Sequence, residues 1–306
     1  MPKELTHWIL AEQAMKGLDS SSRLQGIIRS HRDSYLGGAA LPDTLLHLFR
    51  GPSARTALLM AHSFHDAHGN SYDPLIRTES NYGGALPHDL LACLLGVLSH
   101  MQVDIVFHPY VYAMCGSNDI GRHYQLETDI DVHFLRSGVF PPIRHLKEVV
   151  TPETRPLLVR AASILFDPGN ELPLQALEQA LTLHCRFQAM YGKTGWKITA
   201  AILGRLLGPP FREQRFLFYP LNSLSAAYLD SNGNGRAWSH PVSGALNEAS
   251  IEDLAQEAIQ RTVALFERIE ERGSLTAALG DLGGPNLLTG LHGVGKSEMD
   301  RVSATS

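Results

Sequence analysis

The chain has 306 residues, 44% of them hydrophobic and 19% charged, an ordinary globular balance with ample material for one large or two smaller cores. A net charge of -5 gives no electrostatic footprint for duplex DNA or for an anionic membrane surface.

Cys93, Cys115 and Cys185 show no paired spacing, so no disulfide framework is expected and a reducing cytoplasm is the simplest setting. The amino-terminal MPKELTHWILAEQAMKGL lacks the apolar stretch and cleavage site of a signal peptide and reads as an amphipathic helix. Trp8, Ala11 and Met15 give that helix a core face over about residues 3–17, with His7 beside the stripe. Asp19-Ser20-Ser21-Ser22 caps a second helix over about 20–30. Gly37, Gly38 and Pro42 then break the chain and leave Asp43 on a loop. An Asp following Pro at a helix start is also a common N-cap.

Residues 55–66 read as a short helix that ends in SFHDAHG, where His62, His65, Asp66 and His68 crowd together. Residues 69–84, rich in Gly and Asn, read as a loop on the rim of a cleft. The longest apolar run, LLACLLGVL at 90–98, falls short of the ~20 residues that cross a bilayer and fits a buried core helix spanning 87–107. A further helix follows at 119–136. Asp131 lies one turn beyond Glu127, on what reads as a solvated face.

Past Gly138 and Pro141-Pro142 the ligand-type residues thin out. Helices are predicted at 151–166, 171–190 and 195–207, the middle one with Leu174, Leu177, Leu181 and Phe187 spaced for packing. Residues 208–245 read as a long ordered loop, 249–272 as a strong last helix, and the tail from 273 as mobile. No strand pattern of period two stands out. The expectation is an all-α fold divided into a region 1–140, a helical region 141–272 packed on it, and the tail 273–306.

Two motifs are decoys. Gly290-Leu-His-Gly-Val-Gly295-Lys296-Ser297 spells a P-loop but follows no buried strand, and nine residues remain after it. Asp230-Ser-Asn232-Gly-Asn234-Gly235 opens like an EF-hand loop, but Pro241 stands where the bidentate Glu is needed. An Asn-Gly turn accounts for it.

The chemistry concentrates in residues 100–127. His100, Asp104 and His108 are spaced by four, as are His123 and Glu127, so each set projects from one helical face. Val103, Val106, Phe107, Tyr110 and Val111 are interleaved with them, which implies burial. A single His–Asp pair at this spacing is an everyday polar pair. Five such groups on a buried face must pair, shift their pKa or bind a metal, and imidazole with carboxylate is a zinc donor set.

This run, together with Thr-His-Trp at 6–8, SFHDAHG, and the loop Tyr35-Leu-Gly-Gly-Ala-Ala-Leu-Pro-Asp43, resembles the zinc-dependent phospholipase C family. Its best-known members are secreted bacterial enzymes with a helical fold and three clustered zinc ions. The resemblance implies that His65 (or His68), His100 and Asp104 hold one zinc, that His108, His123 and Glu127 hold a second, and that His7 joins a bridging Asp104 at a third. It makes Asp43 the active-site carboxylate, as a general base or a metal contact, and Asp104 the bridge. Two departures stand out: this chain begins Met-Pro-Lys-Glu where the secreted enzymes present a ligating tryptophan, and its Asp104–His108 gap is shorter.

The implied function is zinc-dependent hydrolysis of a phosphodiester, with two or three ions and a phospholipid headgroup bond as favoured substrate. Zinc-dependent single-strand nucleases have a similar arrangement and fold, which makes nuclease or small-phosphodiesterase activity the alternative. A helical zinc-binding module without catalysis is the other.

Overall fold

A computed structural model of the chain describes residues 3–208, 211–220 and 237–299. Its helices in chain order are α1 (Glu4–Gly17), α2 (Arg23–Ser30), α3 (Arg32–Gly38), α4 (Ala54–His65), α5 (Asp73–Asn81), α6 (His88–Cys115), α7 (Ile120–Arg136), α8 (Arg155–Phe166), α9 (Leu174–Tyr191), α10 (Thr194–Leu206), α11 (Phe211–Gln214), α12 (Ile251–Arg272) and α13 (Leu275–Leu279). A 3-10 segment, Leu41–His47, leads from α3 toward α4. Among the described residues the only strands are a two-residue antiparallel ladder, Trp238–Ser239 against Leu246–Asn247. The fold is all-α, as its sequence pattern implies. The EF-hand-like stretch 230–235 lies outside the described residues.

The organising element is α6, in which every residue from Leu90 to Tyr112 is buried. Against expectation this helix is long and apolar enough to cross a membrane by length and composition, yet its apolar window is wholly buried within the protein. It also outruns its predicted end at 107 and continues to Cys115 through Pro109. Pro109 has no N–H to offer the Ile105 carbonyl. The chain closes over that point at Gly290, where a Cβ would lie 2.8 Å from the Ile105 oxygen.

Helix α3 packs on α6 with backbones in contact. A Cβ on Gly38 would meet the Cys93 oxygen at 2.1 Å, and one on Gly96 would meet the Tyr35 oxygen at 2.0 Å. The glycines at 37 and 38, expected simply to break the chain, therefore end α3 and allow this approach. On the other side Trp8 of α1 is fully buried and donates from Nε1 to the Leu36 carbonyl at 3.0 Å. Helix α12 covers both α1 and α6, entering through a Ser250–Asp253 capping box and ending at Gly273 with φ of 78°. One apolar core joins Leu5, Leu94, Leu158, Leu177 and Leu279.

Two segments depart from their sequence reading. The expected loop 69–84 contains helix α5, which turns Leu75, Thr78 and Glu79 inward at helical spacing. The tail expected to be mobile is packed as far as Met299, with Leu275, Leu287, Thr289 and Met299 buried. Buried Glu79 explains how it starts: its carboxylate accepts from the backbone N–H groups of Leu275 (2.9 Å) and Thr276 (2.6 Å), capping α13. The segment Gly290–Lys296 runs as bends and turns into a short helical stretch at Ser297–Met299, with no strand before it, so the P-loop lettering has no P-loop structure.

Candidate metal centre

Five elements converge on one buried region: α1 brings His7, the 3-10 segment Asp43, the last residue of α4 His65, α6 the trio His100, Asp104 and His108, and α7 the pair His123 and Glu127. All eight are buried.

The tautomers of three histidines follow from what their Nδ1 atoms meet. His65 Nδ1 lies 2.7 Å from the Ala61 carbonyl, His100 Nδ1 2.8 Å from that of Ala39, and His108 Nδ1 2.7 Å from that of Leu287. A carbonyl only accepts, so each Nδ1 carries a proton and each ring turns its Nε2 inward. Leu287 belongs to the carboxy-terminal segment, which thus orients a ring of the centre.

The separations between ligand-type atoms have a common scale. His100 Nε2 lies 3.2 Å from Asp104 Oδ2, His65 Nε2 3.7 Å from the same oxygen and 3.6 Å from Asp43 Oδ1, and His7 Nε2 3.6 Å from Asp104 Oδ1. None is a well-formed hydrogen bond: both Asp104 oxygens, Asp43 Oδ1, both His7 nitrogens and the Nε2 atoms of His65 and His100 have no hydrogen-bond partner. Two donors on one zinc tetrahedron with bonds of about 2.0–2.1 Å sit about 3.3 Å apart. Orphaned polar atoms at that spacing, in a place where unpaired groups are costly, fit a shared cation. Within this centre three sets have mutually close donors: His65, His100 and Asp104; His7, Asp43 and His100; and His108, His123 and Glu127. In the last, His123 Nε2 and Glu127 Oε1 are 2.7 Å apart. The His7 ring stacks on that of His100 at 3.9 Å between centroids.

The electrostatics point the same way. Burial disfavours the charged forms of Asp43 and Asp104, yet His100 foremost among the neighbouring imidazoles outweighs it and holds both carboxyls well below their usual range. Burial pushes His7 and His108 down to about 3 and His123 well below its ordinary value. His100 alone of these imidazoles moves up: burial opposes its charged form, but the Asp104 and Asp43 carboxylates prevail. The centre thus holds ionised carboxylates among mostly neutral imidazoles, a deficit of positive charge that bound cations supply.

The structure brings together every residue expected at the site, with His65 rather than His68; His68 and His62 are exposed and outside the cluster. Asp43 is not a simple N-cap, since its segment has no side-chain cap and its carboxylate faces His65. Asp131 is not on a solvated face. It is fully buried, accepts from the Thr6 N–H at 2.9 Å, the Thr6 hydroxyl at 2.6 Å and the Tyr219 hydroxyl at 2.7 Å, and is pushed up to about 6 by burial. It ties α7 to α1 one residue from His7. Two features escaped the sequence. One is Lys296, whose ammonium lies 5.3 Å from the centre of the Tyr112 ring and whose backbone N–H is held by Asp66 Oδ1 at 2.8 Å. The other is a set formed by Glu4, His47 and His184. Its only local signals were Glu4 three residues before His7 and His47 four after Asp43.

A sequence model described as zinc dependent phospholipase C matches residues 6–164, which include all eight converging side chains. No curated protein and no solved structure matches the chain. With more than half its length under that match and the ligand-type residues gathered as such chemistry requires, the chain belongs to the zinc-dependent phospholipase C family.

Proposed function

We propose that the protein hydrolyses phosphodiesters, with a phospholipid headgroup bond as its substrate, at a centre of at least two zinc ions. His65, His100 and Asp104 would hold one, His108, His123 and Glu127 a second, and His7 with Asp43 and Asp104 border a third position. The observation that carries this reading is the set of buried Nε2 and carboxylate atoms without hydrogen-bond partners, spaced 3.2–3.7 Å apart. The separated and buried free cysteines support a cytoplasmic location.

When bound, zinc polarises a phosphoryl oxygen and lowers the pKa of its water to about 7. The chain's own part is positional. The Nδ1–H bonds to Ala61, Ala39 and Leu287 lock three rings with Nε2 inward. Asp104, whose two oxygens on the central helix lack hydrogen-bond partners, would serve as a shared metal ligand. Asp43 stays ionised and offers Oδ1 to a water proton, orienting attack on phosphorus.

The lipid preference rests on helix α10, where Trp196, Ile198, Ile202 and Leu206 are exposed and Lys193, Lys197 and Arg205 accompany them. An apolar stripe with basic neighbours suits a membrane interface. The pair of changes Ile202→Ser and Leu206→Ser is expected to weaken vesicle binding about tenfold, ~1.4 kcal/mol, without altering turnover of a monomeric short-chain phospholipid. Equal loss on both substrates would remove α10 from the interface.

The direct test is zinc content and activity together. Zinc-loaded protein is expected to hold two or more ions and to release a phosphorylated headgroup from phosphatidylcholine, while His123→Ala loses zinc and activity in parallel. Cleavage of single-stranded oligonucleotides in place of phospholipid would assign the nuclease reading. One ion or none after loading, without hydrolysis, would leave a binding module.

A further inference from the structure

Glu4, His47 and His184 form a separate group outside the centre described above, with Glu4 and His184 buried and His47 half-buried. Each offers a donor atom within 4.8 Å of the others. They come from three elements distant in sequence: the first turn of α1, the end of the 3-10 segment, and the middle of α9. His184 Nε2 is 3.1 Å from Glu4 Oε1, and the rings of His47 and His184 stack with centroids 4.0 Å apart and planes within 12°. That repeats the His7–His100 stack beside Asp104, at 3.9 Å and 7°.

The hydrogen bonds decide which atoms face inward. His47 Nδ1 is 3.1 Å from the Asp43 carbonyl, so Nδ1 donates and Nε2 keeps a lone pair. His184 Nδ1 is 3.1 Å from the Thr44 hydroxyl, which can accept its proton and free Nε2 in the same way. Tyr191 Oη sits at the edge of hydrogen-bond range from His47 Nε2, at 3.5 Å. The Glu4 side chain is more than nine-tenths buried, and its Oε2 has no partner. A plain Glu4–His184 ion pair would satisfy Oε1 and leave the buried Oε2 without a partner. One divalent cation satisfies all three groups, and two imidazoles with one carboxylate is a zinc donor set with a fourth position open.

We propose that Glu4, His47 and His184 bind a further divalent metal ion, zinc or a cation of similar donor preference, at a site distinct from the phospholipase C centre. Glu4 and His184 fall outside the residues matched by the family, 6–164, so the site is an addition that fastens α9 to the family core. It grips the 3-10 segment at His47, one turn from Asp43, and therefore holds a carboxylate of the main centre from behind. The ion's role is to position, and it touches no substrate.

Zinc counted by elemental mass spectrometry in loaded, gel-filtered protein tests this. Glu4→Gln and His184→Asn, checked for native helicity by circular dichroism, are each expected to hold one zinc fewer than the wild type. Folded variants with the wild-type count would overturn the site and reduce Glu4–His184 to an ion pair. Should either variant fail to fold, wild-type crystals grown with zinc decide: anomalous scattering at the zinc edge is expected between Glu4, His47 and His184. Peaks at the main centre with none here would overturn this inference alone, whereas peaks here with none at the main centre would overturn the catalytic reading and leave this one standing.

Discussion

Asp104→Ala is expected to reduce phospholipid hydrolysis by about 10³-fold or more and to release at least one zinc ion per chain. Removing groups that merely orient a metal's ligands costs about 10–100-fold. Asp104 is closer than that, since its two unpartnered oxygens face three imidazoles at 3.2–3.7 Å from the most buried stretch of the central helix. Asp104→Asn separates charge from shape. It keeps the volume and one oxygen but removes the charge that bound metal would need, so it should lose metal and activity nearly as fully. The stability effect should shrink when metal is removed. In zinc-loaded protein either change lowers the melting temperature, because binding free energy is folding free energy. In chelator-stripped protein the neighbouring His100 still favours the ionised Asp104 carboxyl, so Asp104→Asn should lower the melting temperature there too, but by less. Calorimetry of both forms with and without chelator reads this; a loss in stripped protein as large as in loaded protein would mean that Asp104 serves the fold and the metal role is secondary.

How legible the centre was depended on what the sequence could express locally. His100, Asp104 and His108, and His123 with Glu127, are spaced at four within single helices, and that spacing carries over directly to the faces of α6 and α7. His7, Asp43 and His65 carry no such periodicity and entered only through resemblance to a family. Glu4, His47 and His184 had neither advantage: the three lie on different elements, His184 in a region beyond the family match. Among the helices, α5 was hidden because Gly69, Asn70, Gly83 and Gly84 flank a nine-residue segment whose inward face is only Leu75, Thr78 and Glu79. Composition reports the flanks, and packing decides the middle. The tail failed for a related reason. Its glycines read as slack, whereas Gly284 and Gly295 occupy places where a Cβ would collide with Ser71 Oγ at 2.2 Å and His68 Cε1 at 2.4 Å. Those are marks of close docking.

Gly96→Ala should be among the most destabilising single methyl additions in the protein, and it should damage the metal centre from a distance. The added carbon would sit 2.0 Å from the Tyr35 carbonyl oxygen and 2.8 Å from the Ala39 nitrogen, both backbone atoms that no rotamer change can move aside. Helices α3 and α6 must therefore separate. Overpacking a tight core costs about 1–3 kcal/mol when side chains can adjust, and a backbone clash belongs at or beyond the upper end. A fall in melting temperature of roughly 5–10 °C is expected on that basis. Gly38→Ala, whose Cβ would meet the Cys93 oxygen at 2.1 Å, should behave alike. The distance effect follows from chain connectivity: His100 is one turn beyond Gly96, and its Nδ1 donates to the carbonyl of Ala39, immediately after α3. Separating the helices stretches that bond, frees the ring and weakens zinc, so the variant should lose zinc affinity as well as stability. Gly26→Ala supplies the contrast. It lies mid-helix in α2 with open space around its would-be Cβ, and replacing it should stabilise the protein by about 0.5–1 kcal/mol with zinc affinity unchanged. If Gly96→Ala and Gly26→Ala melted alike, the contact between α3 and α6 would be looser than described, and the centre's reliance on it would fall with it.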